Sequence, residues 1–210
     1  MSLDFEKTLY TQNIKLIVGC DEAGRGCLLG PVFAGAVILP MSFDSPLIND
    51  SKKLSAKQRE EAFQLIVETA IAFGVGFCTP EEIDEMNILN ASRVAMERAI
   101  ENMNHPFDLI ITDYMKMPKA IKPVISLVHG DSRSLCVAAA SILAKVSRDR
   151  FCDELNKIYP QYHIAKNKGY GTSSHLEALD KFGPVKGLHR FSYSPVRASL
   201  IKKSICFKTF

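Results

Sequence analysis

LIVGCDEAGRGCLLGPVFAGAVIL, residues Leu16 to Leu39, reads as an apolar strand (Leu16, Ile17, Val18) ending in two adjacent carboxylates, Asp21 and Glu22. A glycine-arginine-glycine turn follows, and then a second strand of small and β-branched residues. Carboxylates at the end of a buried strand are costly to desolvate unless a cation compensates them. Arg25 is the nearest cation and does not suffice for a cluster of acids, so the pattern points to a hard divalent metal. Gly24 and Gly26 permit positive φ and close approach of the backbone to a ligand, and the Arg25 guanidinium suits phosphate. Neighbouring strand residues face opposite ways, so Asp21 and Glu22 share a site only where the strand bends or breaks, as the glycine turn allows.

Two further apolar runs repeat this geometry. FDLIIT, residues 107–112, delivers Asp113, and the run from Val124 to Val128 is followed by His129-Gly130-Asp131. Four carboxylates at strand ends, with no histidine or cysteine at ligand spacing, select oxygen-loving metals, Mg²⁺ or Mn²⁺, over Zn²⁺. Such sites handle phosphates; in two-metal hydrolysis one ion lowers the pKa of the attacking water and the other stabilises the leaving oxygen. On that scheme Asp21 bridges the ions, Glu22 and Asp113 complete the leaving-group side, and Asp131 holds the water side. Asp50 and Asp108 precede their elements, and Asp149 and Asp153 lie well along a helix, so these four fall outside the pattern.

Between the acidic strand ends the chain alternates strand and helix. Ser55 is placed to cap a helix reading AKQREEAFQLIVETA, Phe73 to Cys78 is a short strand, and Thr79-Pro80-Glu81-Glu82 starts another helix. Asn87 to Asn102 is amphipathic. Leu135 to Ile158 is the longest helix, and its small-residue run Val137 to Ser141 lets it pack closely on a sheet and hold Asp131 in place. Lys145, Arg148 and Arg150 on its later turns suit either a solvated face or phosphate contact. Ser173 to Phe182 and the segment Val185 to His189 read as short helices. The fold class is therefore α/β, a mixed central sheet flanked by helices with a small helical C-terminal region. We expect one domain over residues 1–210, with a core over about 14–160 and a basic helical region over about 161–210.

The 210 residues are 47% hydrophobic, enough for a sizeable core. No apolar run is long enough to span a bilayer, and the N-terminus lacks a signal peptide's order, which predicts a cytoplasmic location and no membrane. Six cysteines at irregular spacing, without a Cys-x-x-Cys pair, argue against a disulfide framework or a zinc site. The net charge of +3 is unevenly spread: residues 1–144 hold 13 Lys/Arg against 18 Asp/Glu, and residues 145–210 hold 13 against 5. An acidic site with a basic C-terminal third suits a polyanion gripped in one place and hydrolysed in another, though the same charge is also that of a solvated surface. Within that third, Lys166-Asn167-Lys168-Gly169-Tyr170-Gly171-Thr172 presents an aromatic ring between cations, an arrangement suited to nucleic acid.

Together DEAGRG (Asp21 to Gly26), DSKKLS (Asp50 to Ser55), the strand-end Asp113, GDSRS with AAASILAKVSRD, NKGYGT (Asn167 to Thr172) and HRFSYSPV (His189 to Val196) resemble the type 2 ribonuclease H family, specifically ribonuclease HII, over roughly residues 16–197. The resemblance implies the ribonuclease H fold. It also implies an endoribonuclease that hydrolyses the RNA strand of RNA–DNA hybrids and nicks duplex DNA 5′ of embedded ribonucleotides, leaving 3′-hydroxyl and 5′-phosphate. It implies metal-bound catalytic residues Asp21, Glu22, Asp113 and Asp131, and phosphate contacts by Lys52, Lys53 and Lys168. Gly24, Arg25, Gly26 and Tyr170 would recognise the ribonucleotide, with Tyr170 against the nucleotide at the cleavage site. Cys27, Tyr114 and Tyr193 depart from the family pattern, Tyr114 standing where glycine is common.

The substrate partners implied are RNA–DNA hybrids and ribonucleotide-containing duplexes, bound by a monomer. The tail, Ile201 to Phe210 with Ile205, Phe207 and Phe210, fits packing on the body or docking on a replication clamp. Two other readings remain open: a non-catalytic hybrid-binding module whose acids hold a structural ion, and a different metal-dependent phosphotransferase on the same fold.

Overall fold

Small and β-branched residues on both sides of the acidic turn pair as the centre of a sheet. The computed structural model describes residues 2–206, with side chains through residue 201. The element order is α1 (Asp4–Lys7), β1 (Ile17–Ala23), β2 (Val32–Ile38), α2 (Ala56–Thr69), β3 (Ala72–Cys78), α3 (Pro80–Met86), α4 (Ile88–Met103), β4 (Leu109–Asp113), β5 (Val124–Leu127), α5 (Gly130–Arg133), α6 (Leu135–Ile158), a 3₁₀ turn (Pro160–Tyr162), α7 (Ile164–Asn167), α8 (Ser173–Phe182) and α9 (Ser194–Cys206). The sheet order is β3-β2-β1-β4-β5. β1 runs antiparallel to β2 and parallel to β4, and β4 runs parallel to β5, so the sheet is mixed as the alternation of elements predicts. The side chains of Ile205, Phe207 and Phe210, on which tail packing or clamp docking was expected to depend, lie outside the described residues.

The chain divides into two compact units. One comprises the chain up to Ala23, Phe33–Phe77 and Ser92–Ser147; the other comprises Gly24–Val32, Cys78–Ala91 and the chain from Arg148 onward. In the first unit, every residue from Ser134 to Ala144 is buried. The small residues of α6 bring its backbone onto the sheet: a Cβ on Gly19 would lie 2.2 Å from the Cys136 carbonyl carbon, and one on Gly35 would lie 2.4 Å from the Ala140 oxygen. Ile66 and Ala62 of α2 join Val37, Leu39 and the α6 residues in one core, while Ile17, Leu109, Ile111 and Leu127 form another with Phe5, Leu9 and Tyr10 against it. Among the described residues, no helix is long and apolar enough to cross a membrane, and the five cysteines whose side chains are described form no disulfide and are buried.

The helix starts follow their caps. Ser55 and Thr79 each form a reciprocal box, with Gln58 and Glu82 respectively. The start of α6 is secured from a distance: fully buried Glu6 accepts from Ser134 Oγ at 2.6 Å and from the Cys136 amide at 2.9 Å. A carboxylate at a helix N-terminus satisfies amides that lack intrahelical partners and complements the helix dipole.

In the second unit, Leu28, Leu29, Tyr162, Ile164, Leu179, Leu188 and Val196 form the core. Here the sequence expectation fails at one element. Val185 to His189 is not a helix but a turn leading into a single antiparallel bridge between His189 and Leu29. Gly183 and Gly187 adopt φ of +81° and +78°, and Pro184 lies between them, so the helical run cannot restart. The front of the expected basic loop is also different, since Ile164–Asn167 forms a helical turn before Lys168 reverses at φ +48°.

Glu6→Ala leaves the Cys136 amide and Ser134 hydroxyl buried without their acceptor, and should cost about 1–3 kcal/mol in urea unfolding. Glu6→Gln, which keeps an acceptor oxygen, should cost less. A second prediction concerns His189, which is 1% exposed and packs 4.9 Å from the Tyr162 ring, with its Nε2 3.4 Å from that of His175. Burial foremost, then His175, pushes His189 down to about 4. The unfolded chain takes up this proton near its ordinary value and the folded chain only near 4, so the stability is fully present above about pH 6.5 and is lost as pH falls toward 4, by up to about 3 kcal/mol. Urea midpoints across that window should show the slope, and His189→Asn, which keeps an acceptor for the Val185 amide, should flatten it.

Candidate active site

β1, β4 and the turn after β5 deliver Asp21, Asp113 and Asp131, and one carboxylate oxygen from each lies within 4.8 Å of the others. Asp21 and Asp131 are 6% and 5% exposed, and Asp113 is half-buried. Backbone amides hold two of them: Glu22 N donates to Asp21 Oδ1 at 2.7 Å and Gly130 N to Asp113 Oδ1 at 2.8 Å. The second bond ties the end of β4 to the start of α5, where Asp131 sits. Asp131 Oδ2 accepts from Lys52 Nζ at 3.0 Å.

The electrostatics are those of a site short of positive charge. Burial, then the neighbouring Glu22 and Asp113 charges, hold the Asp21 carboxyl well above the ordinary carboxylate range. Burial foremost also raises Asp113, with Asp131 adding to it and the Gly130 amide, Lys52 and His129 opposing. The hydrogen bond to Asp131 is the largest influence raising Lys52. Three clustered acids repel one another, and hard oxygen donors from separate elements suit a divalent cation such as Mg²⁺ or Mn²⁺. The residues therefore fit the metal chemistry expected of them.

Glu22 is not part of this trio. β1 does not break at the acids: Asp21 pairs with Gly35, Glu22 with Ala34 and Ala23 with Phe33. Its charge nevertheless bears on Asp21. Lys52 and Lys53 sit on a loop organised by Asp50, which accepts from Lys52 N at 2.9 Å through its side chain and from Lys53 N at 2.9 Å through its carbonyl. Both lysines are exposed.

In the second unit, Gly24, Arg25 and Gly26 form a turn built around buried arginines. Gly24 has the expected positive φ, +96°, and a Cβ there would strike Arg148 Nε at 2.1 Å. Gly26 does not adopt positive φ; one left-handed residue suffices for the turn, and Gly26 instead faces Tyr170, whose Cε1 lies 3.8 Å from where its Cβ would be. Arg25 and Gly26 are exposed, and Tyr170 is 44% exposed. The Lys168 ammonium pairs with Asp153.

Two residues central to this assembly were not legible as such. Arg148, placed in a set suited to a solvated face or phosphate contact, is 1% exposed and donates to Lys168 O at 2.7 Å, Leu29 O at 3.2 Å and Pro31 O at 3.4 Å. Its signal was position, since Ala144, Arg148 and Cys152 recur at four-residue spacing on a buried helix face. Arg190, fully buried, donates to Gly30 O and Arg25 O, each at 2.9 Å, and Tyr193 OH donates to Arg25 O at 2.6 Å. Asp84 in turn accepts from the amides of Phe191 and Ser192 at 2.7 and 2.8 Å, fixing the segment that carries Arg190.

A family model for ribonuclease HII matches residues 18–196. A ribonuclease HII of Caldanaerobacter subterraneus subsp. tengcongensis is 49% identical over 189 residues, 90% of this chain and 78% of the relative. The crystal structure of ribonuclease H2 from Pyrococcus horikoshii OT3 aligns with a TM-score of 0.76 at 25% identity, over 89% of this chain and 98% of that one. A chain from the structure of the PCNA:RNase HII complex of Archaeoglobus fulgidus aligns with a TM-score of 0.70 at 25% identity, over 85% and 95%.

Because Lys52 ties up an oxygen of Asp131, Lys52→Met should bind Mn²⁺ more tightly without nucleic acid, by about two- to fivefold in calorimetry. Lys53→Met on the same loop should stay within about twofold of the unsubstituted chain. Weaker binding in Lys52→Met would mean that the lysine props Asp131 for the metal rather than competing with it.

Proposed function

The chain belongs to the ribonuclease HII family, a family of metal-dependent endonucleases acting on RNA–DNA hybrids, and from that premise we propose that it also nicks duplex DNA 5′ of embedded ribonucleotides by two-metal-ion hydrolysis. The products are a 3′-hydroxyl and a 5′-phosphate. The observation that carries this reading is the trio Asp21, Asp113 and Asp131, drawn from β1, β4 and α5 to within 4.8 Å with the exposed Lys52 against it.

Asp21, Asp113 and Asp131 would hold the divalent ions, Mn²⁺ or Mg²⁺, with Glu22 as a further ligand supplied by the adjacent position of β1. When bound, such ions supply a water of lowered pKa and neutralise charge on the leaving oxygen. The protein's own part is to keep the carboxylates aligned: the Gly130 amide orients Asp113, and the Glu22 amide orients Asp21. Lys52, on its anchored loop, is free to leave Asp131 for a substrate phosphate, with Lys53 beside it in sequence. Lys168 adds a further contact once released from Asp153.

Recognition of a single ribonucleotide is assigned to Gly24, Arg25, Gly26 and Tyr170. The 2′-hydroxyl both donates and accepts, so backbone groups of a glycine turn can bond it where a side chain would block approach. Arg148 and Arg190 hold that turn in one shape, which supports a preorganised reader. Tyr170, brought against Gly26, packs on the neighbouring sugar. The protein acts as a monomer, and the complex of the Archaeoglobus fulgidus relative with PCNA supports a replication clamp as partner.

A labelled DNA duplex with one ribonucleotide, resolved on a gel, tests this directly. In Mn²⁺ or Mg²⁺ the strand should be cut once, 5′ of the ribonucleotide. Asp113→Asn keeps the Gly130 hydrogen bond but loses a metal-binding oxygen, and should abolish cleavage while hybrid binding persists. Near wild-type turnover in that variant would sink the carboxylate assignment, and cleavage confined to continuous hybrids would sink the single-ribonucleotide reading.

A further inference from the structure

Directly after Asp113 the backbone takes a conformation that its side chain does not favour. Tyr114 has φ +58°, in the left-handed region where a Cβ is strained and glycine sits freely. It is held there by donating its amide to Leu127 O at 3.0 Å, while Met115 N reaches back to Asp113 O at 2.7 Å and Thr112 Oγ1 donates to Met115 O at 2.5 Å. The ring offers no burial in return, for Tyr114 is 70% exposed. Val128, the residue after Leu127 in the register that pairs Leu127 with Asp113, is 51% exposed. Two apolar side chains thus stand in solvent just after Asp113 and just before Gly130-Asp131.

Neither the fold nor solubility gains from this pair in the free protein. A strained, exposed aromatic beside an acid cluster is accounted for by what it touches when substrate is present. A cation at this position would pair with Asp113, as Lys52 does with Asp131, and would compete for a metal-binding oxygen. A neutral ring grips nucleic acid by stacking and leaves the carboxylates free.

We propose that Tyr114 is a substrate-positioning residue whose ring packs on a nucleotide flanking the phosphate handled by Asp113 and Asp131, with Val128 extending the apolar step. The inference rests on the nuclease reading of the acid trio. Its role is to set the register of the substrate over the acids, so it governs binding more than chemistry.

The test uses the full chain and its Tyr114→Phe, Tyr114→Gly and Tyr114→Asn variants, the last two compatible with positive φ. Affinity for an RNA–DNA hybrid is read by anisotropy in Ca²⁺, kcat and KM in Mg²⁺, and stacking by 2-aminopurine placed on either side of the cut. Tyr114→Gly should melt no lower than the unsubstituted chain, yet bind about five- to a hundredfold more weakly, with KM rising and kcat little changed. Tyr114→Asn should behave alike, and Tyr114→Phe should retain both affinity and quenching. Hybrid affinity in Tyr114→Gly within about twofold of the unsubstituted chain overturns the proposal, as does equal loss in Tyr114→Phe, which would assign the effect to the hydroxyl. If the unsubstituted chain neither binds nor cuts hybrid, the nuclease reading fails and this inference falls with it.

Discussion

Mutual repulsion among Asp21, Asp113 and Asp131 is the constraint on which the first unit is built. Three carboxylates whose oxygens lie within 4.8 Å of one another, two of them nearly buried, push the surrounding backbone apart unless it is firmly tied. The ties are neutral and numerous. β1 lies between two pairing partners at the middle of the sheet, the Gly130 amide joins β4 to α5, and α6 lies backbone to backbone against Gly19 and Gly35. Glu6 then fixes the first turn of α6, so a residue from the start of the chain secures the helix that follows Asp131. Repulsion of this kind is unfavourable for folding and useful for function, since the free energy relieved on binding a cation is available only if the protein has not collapsed around the acids first.

The second unit handles buried charge in the opposite way. Arg148 and Arg190 face no carboxylate in the bonds that hold them; they are spent on backbone carbonyls of Leu29, Pro31, Lys168, Gly30 and Arg25. A guanidinium presents its donors in a fixed planar fork, so an arginine surrounded by carbonyls dictates where each of those peptide groups must lie. The glycine turn and the loop carrying Tyr170 owe their shape to these two side chains. Basic residues in the C-terminal third are therefore of two kinds, surface charge for a polyanion and internal struts, and net charge alone does not separate them.

That distinction marks where the sequence was legible and where it was not. The mixed sheet, the span of the longest helix, the Ser55 and Thr79 caps and three of the acids follow from local pattern, because apolar periodicity and capping act over a few residues. The convergence of Asp21, Asp113 and Asp131 was inferable for the same reason, each being placed by the end of its own strand. What was not legible depends on contacts far apart in the chain: Glu6 reaching α6, Asp84 holding the amides of Phe191 and Ser192, and Arg148 turning inward. The expected bend in β1 is absent, for the ladder with β2 extends through Ala23, and the group of three acids within 4.8 Å does not include Glu22. The expected helix at Val185 to His189 failed on Gly183 and Gly187, whose left-handed geometry no helical periodicity can reveal.

Lysine and arginine are thus used for different ends in one chain, and their physical chemistry explains the division. Lys52 keeps a compact ammonium on a flexible stem, mostly exposed, bonded to Asp131 by a single contact that solvent screens. Such a pair forms and breaks at little cost, which suits a group that must yield its carboxylate to a metal and its charge to a phosphate in the same event. Arg148, with no exposed route and three carbonyl partners, has no comparable freedom; breaking its bonds would strand a charge and several peptide oxygens in the interior. Exchange of Lys52 for arginine would add donors that hold Asp131 more tightly, and exchange of Arg148 for lysine would leave carbonyls unsatisfied, so a substitution that conserves charge would impair both places for opposite reasons.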